Sequence, residues 1–337
     1  MTTRRSLLGS TIALVALAAG CSRDGASSAA GPTSGSWGAA GTSARAASPT
    51  PAPTSAGNCA ALVDPLPPGA VTMLLFGTDS RQKTSLSGNS DAIVLAQFSA
   101  DRHHLSLVSI ARDSHVAIPG MGKGKINAAF AQGGTPQLVR TVSQLLGGIH
   151  IPITVQANFT SFIALTRWMK GITVDNKHAS TVKINSTGRV LDFHTGRLTL
   201  ENTDALVYAR ERKSLPLGDL DRAERHRALV TGMVRGLQAA DKASPQAFAT
   251  LAGKLATNVK ITGLDPRQVP ALAAPLRSID TTDVTSLLVP ISRFDTVGGA
   301  AVDIVDEQRT AELARGLAAG DLSGYVKAHG TGYAPGS

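Results

Sequence analysis

Two arginine-rich stretches stand close together in this chain. "VYARERK", Val207 to Lys213, carries Arg210 and Arg212; "DRAERHR", Asp221 to Arg227, carries Arg222, Arg225 and Arg227. The first pair ends a helical pattern, "NTDALVYAR", capped near Asn202 or Thr203, where cations complement the helix dipole. That account does not serve the second stretch. Leu229, Val230, Met233, Val234 and Leu237 form an i, i+3, i+4 stripe, which extended backward lands on Arg222, Arg225 and His226. Cations thus occupy the end of a helix where the dipole disfavours them, and Asp219 and Asp221 offset only part of the cost. Either this is a solvated basic helix start, or a bound anion satisfies the arginines and the free N–H groups of the first turn together. A phosphate-bearing ligand fits the second description.

Carboxylates stand at strand ends. Asp79 follows the apolar "LLFGT" and Asp91 precedes "AIVLAQ". If those two strands pair antiparallel, both carboxylates reach one edge of the sheet, where they can share a hard cation such as Mg2+ with water and phosphate oxygens. The plainer reading is a turn at Asp79–Ser80 and a strand cap at Asp91. In "SIARDS" a third strand closes on Arg112 and Asp113: a guanidinium fork aimed at a phosphate and oriented by its neighbour, or an ordinary surface ion pair.

The elements that position these residues are legible in outline. "VTMLLFG" (71 to 77), "AIVLAQFS" (92 to 99) and "HLSLVSIA" (104 to 111) read as three early strands of a buried sheet. Thr135-Pro136 opens a helix to about Leu146, "ITVQAN" is a strand, Thr160 caps a helix to Lys170, and "ITVD" (172 to 175) is another strand. Ser244-Pro245, Asp265-Pro266 and Asp306 begin further helices, with "TSLLVPI" and "AVDIV" as late strands. The order implies an α/β layered domain of mixed strand directions, since the first three strands lie too close for helical crossovers. There is no internal repeat.

The ends of the chain bound the setting. Residues 2 to 21, "TTRRSLLGSTIALVALAAGC", have the layout of an export signal, with an apolar run shorter than the roughly 20 residues a membrane span needs. "TRRSLL" resembles a twin-arginine signal, with Leu7 where Phe is usual and Gly9 where Lys is. "LAAGC" resembles a bacterial lipobox, in which Cys21 is acylated; Cys59 is then left without an intrachain partner. A conventionally cleaved or uncleaved signal is the alternative, and would permit one bridge between the two cysteines. Residues 22–61 are rich in Ser, Ala, Gly, Thr and Pro and read as a disordered tether. From Leu62 the chain is long enough for one large domain. A formal net charge of +9 suits an acidic partner. For an exported protein that means polyanionic wall polymer or diphosphate lipid, and not nucleic acid; a solvated surface is the other reading. No G-x-S-x-G elbow, Walker loop or H-E-x-x-H is present, and His103-His104 lack a nearby third metal ligand.

Six segments in order, "LLFGTDSR" with "SDAIVLAQF", "LSLVSIARDS", "KINAAFAQGG", "LTLENTDALVYARERK" and "GDLDRAERHRALV", resemble the LytR-CpsA-Psr family of cell-wall glycopolymer transferases. The resemblance runs from Val71 to about Leu237, with the rest of one domain, 62–326, expected to about Val326 and a tail over 327–337. It implies an α/β/α sandwich with a central mixed β-sheet, a hydrophobic groove for a prenyl tail, and transfer of a glycopolymer from a polyprenyl diphosphate to peptidoglycan as a phosphodiester. By motif position it implies that Asp79 and Asp91 bind Mg2+ and that Arg81 contacts the diphosphate. Arg112 would be the central catalytic arginine, with Asp113 beside it. Arg210, Arg212, Arg222 and Arg225 would form the diphosphate cradle, with His226 adding a donor and Asp219 as the acid before the last helix. His226 stands where Gln is usual, Lys170-Gly171 where a Gly-Gly pair is usual, and the lipobox-like leader where a membrane helix is common. The protein is therefore expected outside the cytoplasmic membrane, anchored through Cys21. The proton acceptor is left open among Asp113, Asp219 and solvent. A diphosphatase using the same cradle and a non-catalytic lipoprotein that binds anionic polymer are the rival readings. With 4% aromatic residues, the sequence offers no stacking platform that would name the sugar.

Overall fold

The three apolar runs between Val71 and Ala111 lie side by side as β1 (Val71–Thr78), β2 (Ser90–Phe98) and β3 (Leu105–Ser109). The structure is a computed structural model that describes residues 66–79 and 88–335. Both neighbouring pairs are antiparallel, as their short connections require. β4 (Ser114–Ile118) and β5 (Gly122–Lys125) form a hairpin, and α1 (Ile126–Leu145) leads to β6 (Ile153–Asn158), which adds parallel to β1. After α2 (Phe159–Trp168), the strands β7 (Ile172–Asn176), β8 (Ser180–Lys183), β9 (Val190–Phe193) and β10 (Gly196–Leu200) make two antiparallel ribbons, β7 with β10 and β8 with β9.

Helices α3 (Asn202–Arg210), α4 (Asp219–Ala243) and α5 (Pro245–Asn258) follow, and β11 (Lys260–Thr262) closes one edge of the sheet beside β6. A 3-10 turn, Pro266–Leu272, and α6 (Ala273–Ser278) precede β12 (Thr285–Leu288), which closes the other edge parallel to β3. β13 (Ile291–Val297) and β14 (Ala300–Val305) join the β4–β5 hairpin in a second sheet, before α7 (Glu307–Ala319) and α8 (Ser323–His329). The central sheet has six strands in the order β11-β6-β1-β2-β3-β12.

Alternation along the strands divides the core into layers. Leu74, Phe76, Ile93 and Leu95 pack with Leu138 and Val142 of α1 and Leu313 and Leu317 of α7. On the opposite face, Met73, Val94, Ala96 and Leu107 pack with Val234 of α4, Phe248 of α5 and Leu276 of α6. The sheet is thus covered by helices on both faces, the α/β/α arrangement expected. A third cluster, around Ile172, Val174, Phe193 and Tyr208, ties the ribbons to α3 and to Leu229 of α4.

Helix starts differ in detail from the sequence pattern. α1 begins at Ile126, well before Thr135-Pro136; Gly134, at φ 63 and ψ −160, breaks it, and Thr135-Pro136 restart it. Asn158, not Thr160, caps α2, its Oδ1 accepting from the Ser161 N–H at 2.9 Å. Ser244 and Asp306 cap α5 and α7 as expected, and Asp265-Pro266 opens the 3-10 turn in place of an α-helix.

Just past α2, Lys170 adopts φ 54 and donates its N–H to Arg167 O, while Gly171 donates to Thr166 O. A left-handed residue here is the ordinary close of a helix, and glycine accepts it without the side-chain penalty. Lys170→Gly is therefore expected to stabilise the fold by about 0.5–1 kcal/mol, the strain relieved outweighing the added freedom of the unfolded chain. A denaturant midpoint that falls would show that the lysine is not strained.

Candidate active site

The site gathers at one edge of the central sheet. β1 and β3 end there, β2 begins there, and β6 ends level with β1, since Thr78 pairs with Asn158. Gly77 pairs with Ala92 but Thr78 pairs with Ser90, so Asp91 is the extra residue of a β-bulge. A bulge releases a side chain from the alternation of its strand and re-aims it. Asp79, one residue beyond β1, is fixed by Asn89: its N–H donates to Asn89 O at 3.4 Å, and its Oδ1 accepts from Asn89 N at 3.0 Å.

Arg112 crosses to the bulge, with Nη1 donating to Asp91 Oδ1 at 2.8 Å. Its Nε lies 3.5 Å from Asp113 Oδ2 and 3.7 Å from Asp219 Oδ1. Asp219 is the first residue of α4, entered through Gly218 at φ 54, a backbone that suits glycine. One turn on, Arg222 Nη2 reaches Asp219 Oδ1 at 2.9 Å and the Asp91 main-chain O at 3.1 Å. Arg212 Nη1 approaches the same Asp219 oxygen at 3.6 Å. Asp91, Arg112, Asp113, Asp219, Arg212 and Arg222 are therefore one constellation, drawn from β2, the β3–β4 corner, the α3–α4 loop and α4.

Cations crowd in it. Burial lowers Arg222, and the charges of Arg112 and Arg212 add to that effect against the opposing pull of Asp219 and Asp91. Burial also acts to lower Arg112, but the hydrogen bond it donates to Asp91 and the charges of Asp219, Asp91 and Asp113 outweigh it and raise the group. Among the described residues, Nε of Arg112 and Nε of Arg222 are buried without a hydrogen-bond acceptor. Buried guanidinium donors without acceptors are costly. An oxyanion placed among them would satisfy both and ease the repulsion between the guanidinium groups.

Other residues expected here fall elsewhere. Arg210 borders the site, its guanidinium 4.8 Å from the ring centroid of Phe159, the residue after β6. Arg225 does not face the constellation. It is buried, donates to His178 O at 2.9 Å and Ser180 Oγ at 2.7 Å, and lies 4.2 Å from the Tyr208 ring centroid. Those contacts bind α4 to α3 and β8, a structural use of the cation in place of the cradle position expected. His226 Nε2 meets Ala209 O at 2.8 Å. Burial, then Arg222, push its pKa down to about 3, so the ring is neutral at working pH and donates that proton to α3. Arg81 and Cys21 lie outside the described residues.

Two neighbours were not singled out from sequence. Lys125, at the end of β5, pairs with Asp113 Oδ1 at 2.8 Å. Asp303, on β14, has its N–H bonded to Asp113 O at 3.0 Å and is 7% exposed. The signal for Asp303 was a carboxylate inside the apolar strand "AVDIV"; for Lys125 it was only its place in "KINAAF".

Among the described residues no group of three or more His, Cys, Asp or Glu side chains is gathered as a metal site, but the oxygen donors of Asp79 and Asp91 are of the type a hard cation takes. Oδ1 of Asp79 and Oδ1 of Asp91 are engaged, which leaves each, among the described residues, a second oxygen for a hard cation.

Buried guanidinium groups set against acids where the strands of a mixed sheet end form a site whose donors suit an oxyanion. The LytR_cpsA_psr family model matches residues 43–318, and the chain belongs to that family. It is 33% identical over 169 residues to the polyisoprenyl-teichoic acid–peptidoglycan teichoic acid transferase TagT of Bacillus subtilis, covering 48% of this chain and 51% of that one. To the TagU transferase of Enterococcus faecalis it is 34% identical over 168 residues, 49% of this chain and 52% of the relative. The chain thus spans about half the length of the curated relatives it matches. Among solved structures, B. subtilis TagV superposes with a TM-score of 0.64 at 22% identity, over 80% of this chain and 100% of that one. A structure described as TagT bound to LI-WTA superposes with a TM-score of 0.59 at 25% identity, over 75% and 90%.

Proposed function

We propose that this chain transfers a glycopolymer from a polyprenyl diphosphate carrier to peptidoglycan, forming a phosphodiester bond. The observation that carries the reading is the Asp91–Arg112–Asp219–Arg222 constellation with its two acceptorless guanidinium nitrogens. The names of the relatives, teichoic acid transferases acting on peptidoglycan, supply the substrate class.

In this reading the diphosphate lies among Arg112, Arg212 and Arg222, with Arg210 at the rim. Phosphoryl transfer needs positioning and charge neutralisation more than covalent help. Arg112 would hold charge that grows on the attacked phosphate, while Arg222 and Arg212 hold the departing prenyl phosphate. Asp91, Asp113 and Asp219 fix the direction of Arg112 by surrounding it. Asp79 and Asp91 would hold Mg2+, which when bound supplies further neutralisation of diphosphate charge. Both substrates lie outside the cytoplasmic membrane. The leader-like segment with Cys21 and the tether over 22–61, outside the described residues, would carry the domain there and keep it near the lipid.

Release of polyprenyl monophosphate from a lipid-diphosphate oligosaccharide tests the reading. Release that rises with added peptidoglycan fragments supports transfer. Release indifferent to them indicates a diphosphatase, and donor binding with no release indicates a polymer-binding lipoprotein.

A further inference from the structure

An attacking sugar hydroxyl must lose a proton, and the acids nearest Arg112 are already engaged. Asp91 is bonded to Arg112, Asp219 faces Arg112, Arg212 and Arg222, and Asp113 is held by Lys125 with Arg112 close by. Their carboxylates are thus taken up in fixing guanidinium and ammonium groups. Asp303 differs. It is buried on β14, paired in parallel with β4 at Asp303↔Ser114, next to the Arg112-Asp113 corner. It makes no ion pair among the described residues, and its Oδ2 is buried without a hydrogen-bond partner. An unpartnered buried carboxylate costs stability, and such groups cluster at functional sites.

We infer that the Asp303 carboxylate takes the proton of the attacking hydroxyl, an inference that rests on the transfer reading above. The hydroxyl oxygen forms its bond to the glycan-proximal phosphorus as the bond from that phosphorus to the bridging oxygen breaks. Polyprenyl monophosphate leaves with the electron pair. The hydroxyl proton passes to Asp303 and then to solvent.

The charge state supports the geometry. Burial, then the negative charges of Asp113 and Asp219, raise Asp303 to about 6 against the smaller pull of Lys125 and Arg112. A base of that strength is ionised at neutral pH yet still accepts a proton in the transition state. The rate of transfer should therefore fall as pH drops through about 6. Stability runs the other way. Because the folded-state value lies above the ordinary carboxylate value of 3.8, the wild type loses stability as pH rises from about 3.8 to about 6.

The experiment uses the full chain with Mg2+, a polyprenyl-diphosphate oligosaccharide and peptidoglycan fragments. It follows transfer and donor affinity from pH 4 to pH 9 in wild type, Asp303→Asn and Asp113→Asn. Asp303→Asn is expected to lose about 10²–10⁴-fold in transfer rate, to lose the acid limb, and to bind donor as the wild type does. It should melt above the wild type at pH 8, with the gain shrinking toward pH 4. In Asp113→Asn, removal of one negative neighbour should move the acid limb to lower pH, which a merely structural Asp303 would not produce. Transfer by Asp303→Asn at the wild-type rate with the acid limb intact overturns the inference. If that variant does not fold, an acid limb unmoved in Asp113→Asn overturns it instead. Donor binding without transfer by the wild type removes the underlying reading, and this inference with it.

Discussion

Arg112→Ala is expected to lower the rate of transfer at saturating donor by about 10²–10³-fold, the usual loss when one aimed donor to developing charge is removed. The structure gives the reason. Among the described residues, Arg112 is the one cation that touches the bulged Asp91 and also faces Asp113 and Asp219, and those acids hold it in one orientation despite its burial. Its Nε has no hydrogen-bond acceptor among the described residues. Lysine cannot replace it, because one ammonium cannot bond Asp91 and present a second fixed N–H to a phosphate. Arg112→Lys should therefore recover little of the rate. Single-turnover kinetics with a separate donor Kd decide the matter. A variant with unchanged rate at saturation and only a raised KM would place Arg112 in donor binding and not in the chemistry.

Asp79→Asn and Asp91→Asn are each expected to raise the half-saturating Mg2+ concentration by at least about 10–100-fold, the range seen when groups supporting a metal are altered. The two should differ in what else they lose. Asp79 is held only by Asn89 among the described residues, so its loss should be largely overcome by excess Mg2+. Asp91 also anchors Arg112, and its variant should stay slow at any metal concentration. Mg2+ titration of initial rates separates these outcomes. Equal rates with and without chelator in the wild type would contradict the metal assignment, and full rescue of Asp91→Asn by Mg2+ would contradict its second role.

Much of the frame could be read from local pattern, because buried strands announce themselves by composition and short connections dictate antiparallel pairing. Asp79 and Asp91 were placed at one edge on that ground alone. The bulge that frees Asp91 was not legible, since a single-residue register shift leaves no local mark. Arg222 and Arg225 share a helix face by spacing, and the same spacing separates them in space. Three residues advance a helix by about 4.5 Å, enough on α4 to pass from the Asp91–Asp219 acids to the Tyr208 cluster. Asp303 was hidden for another reason. Its neighbourhood is made by a parallel pairing between β14 and β4, distant in sequence, and only the fold could bring it to Asp113. Gly134 likewise disguised α1 as a shorter helix, because the sequence shows a glycine pair where the chain bends and resumes.

In the proposed transfer, the glycan-proximal phosphorus ends in a bond to peptidoglycan. A donor carrying labelled phosphorus at that position, incubated with the full chain, Mg2+ and peptidoglycan fragments, tests it directly. The label is expected in a phosphodiester on the peptidoglycan fragment, with unlabelled polyprenyl monophosphate released and both products formed about 10²–10³-fold more slowly by Arg112→Ala. Label recovered as free glycan phosphate, in amounts independent of the acceptor, would mean that water takes the phosphoryl group and would contradict transfer to peptidoglycan.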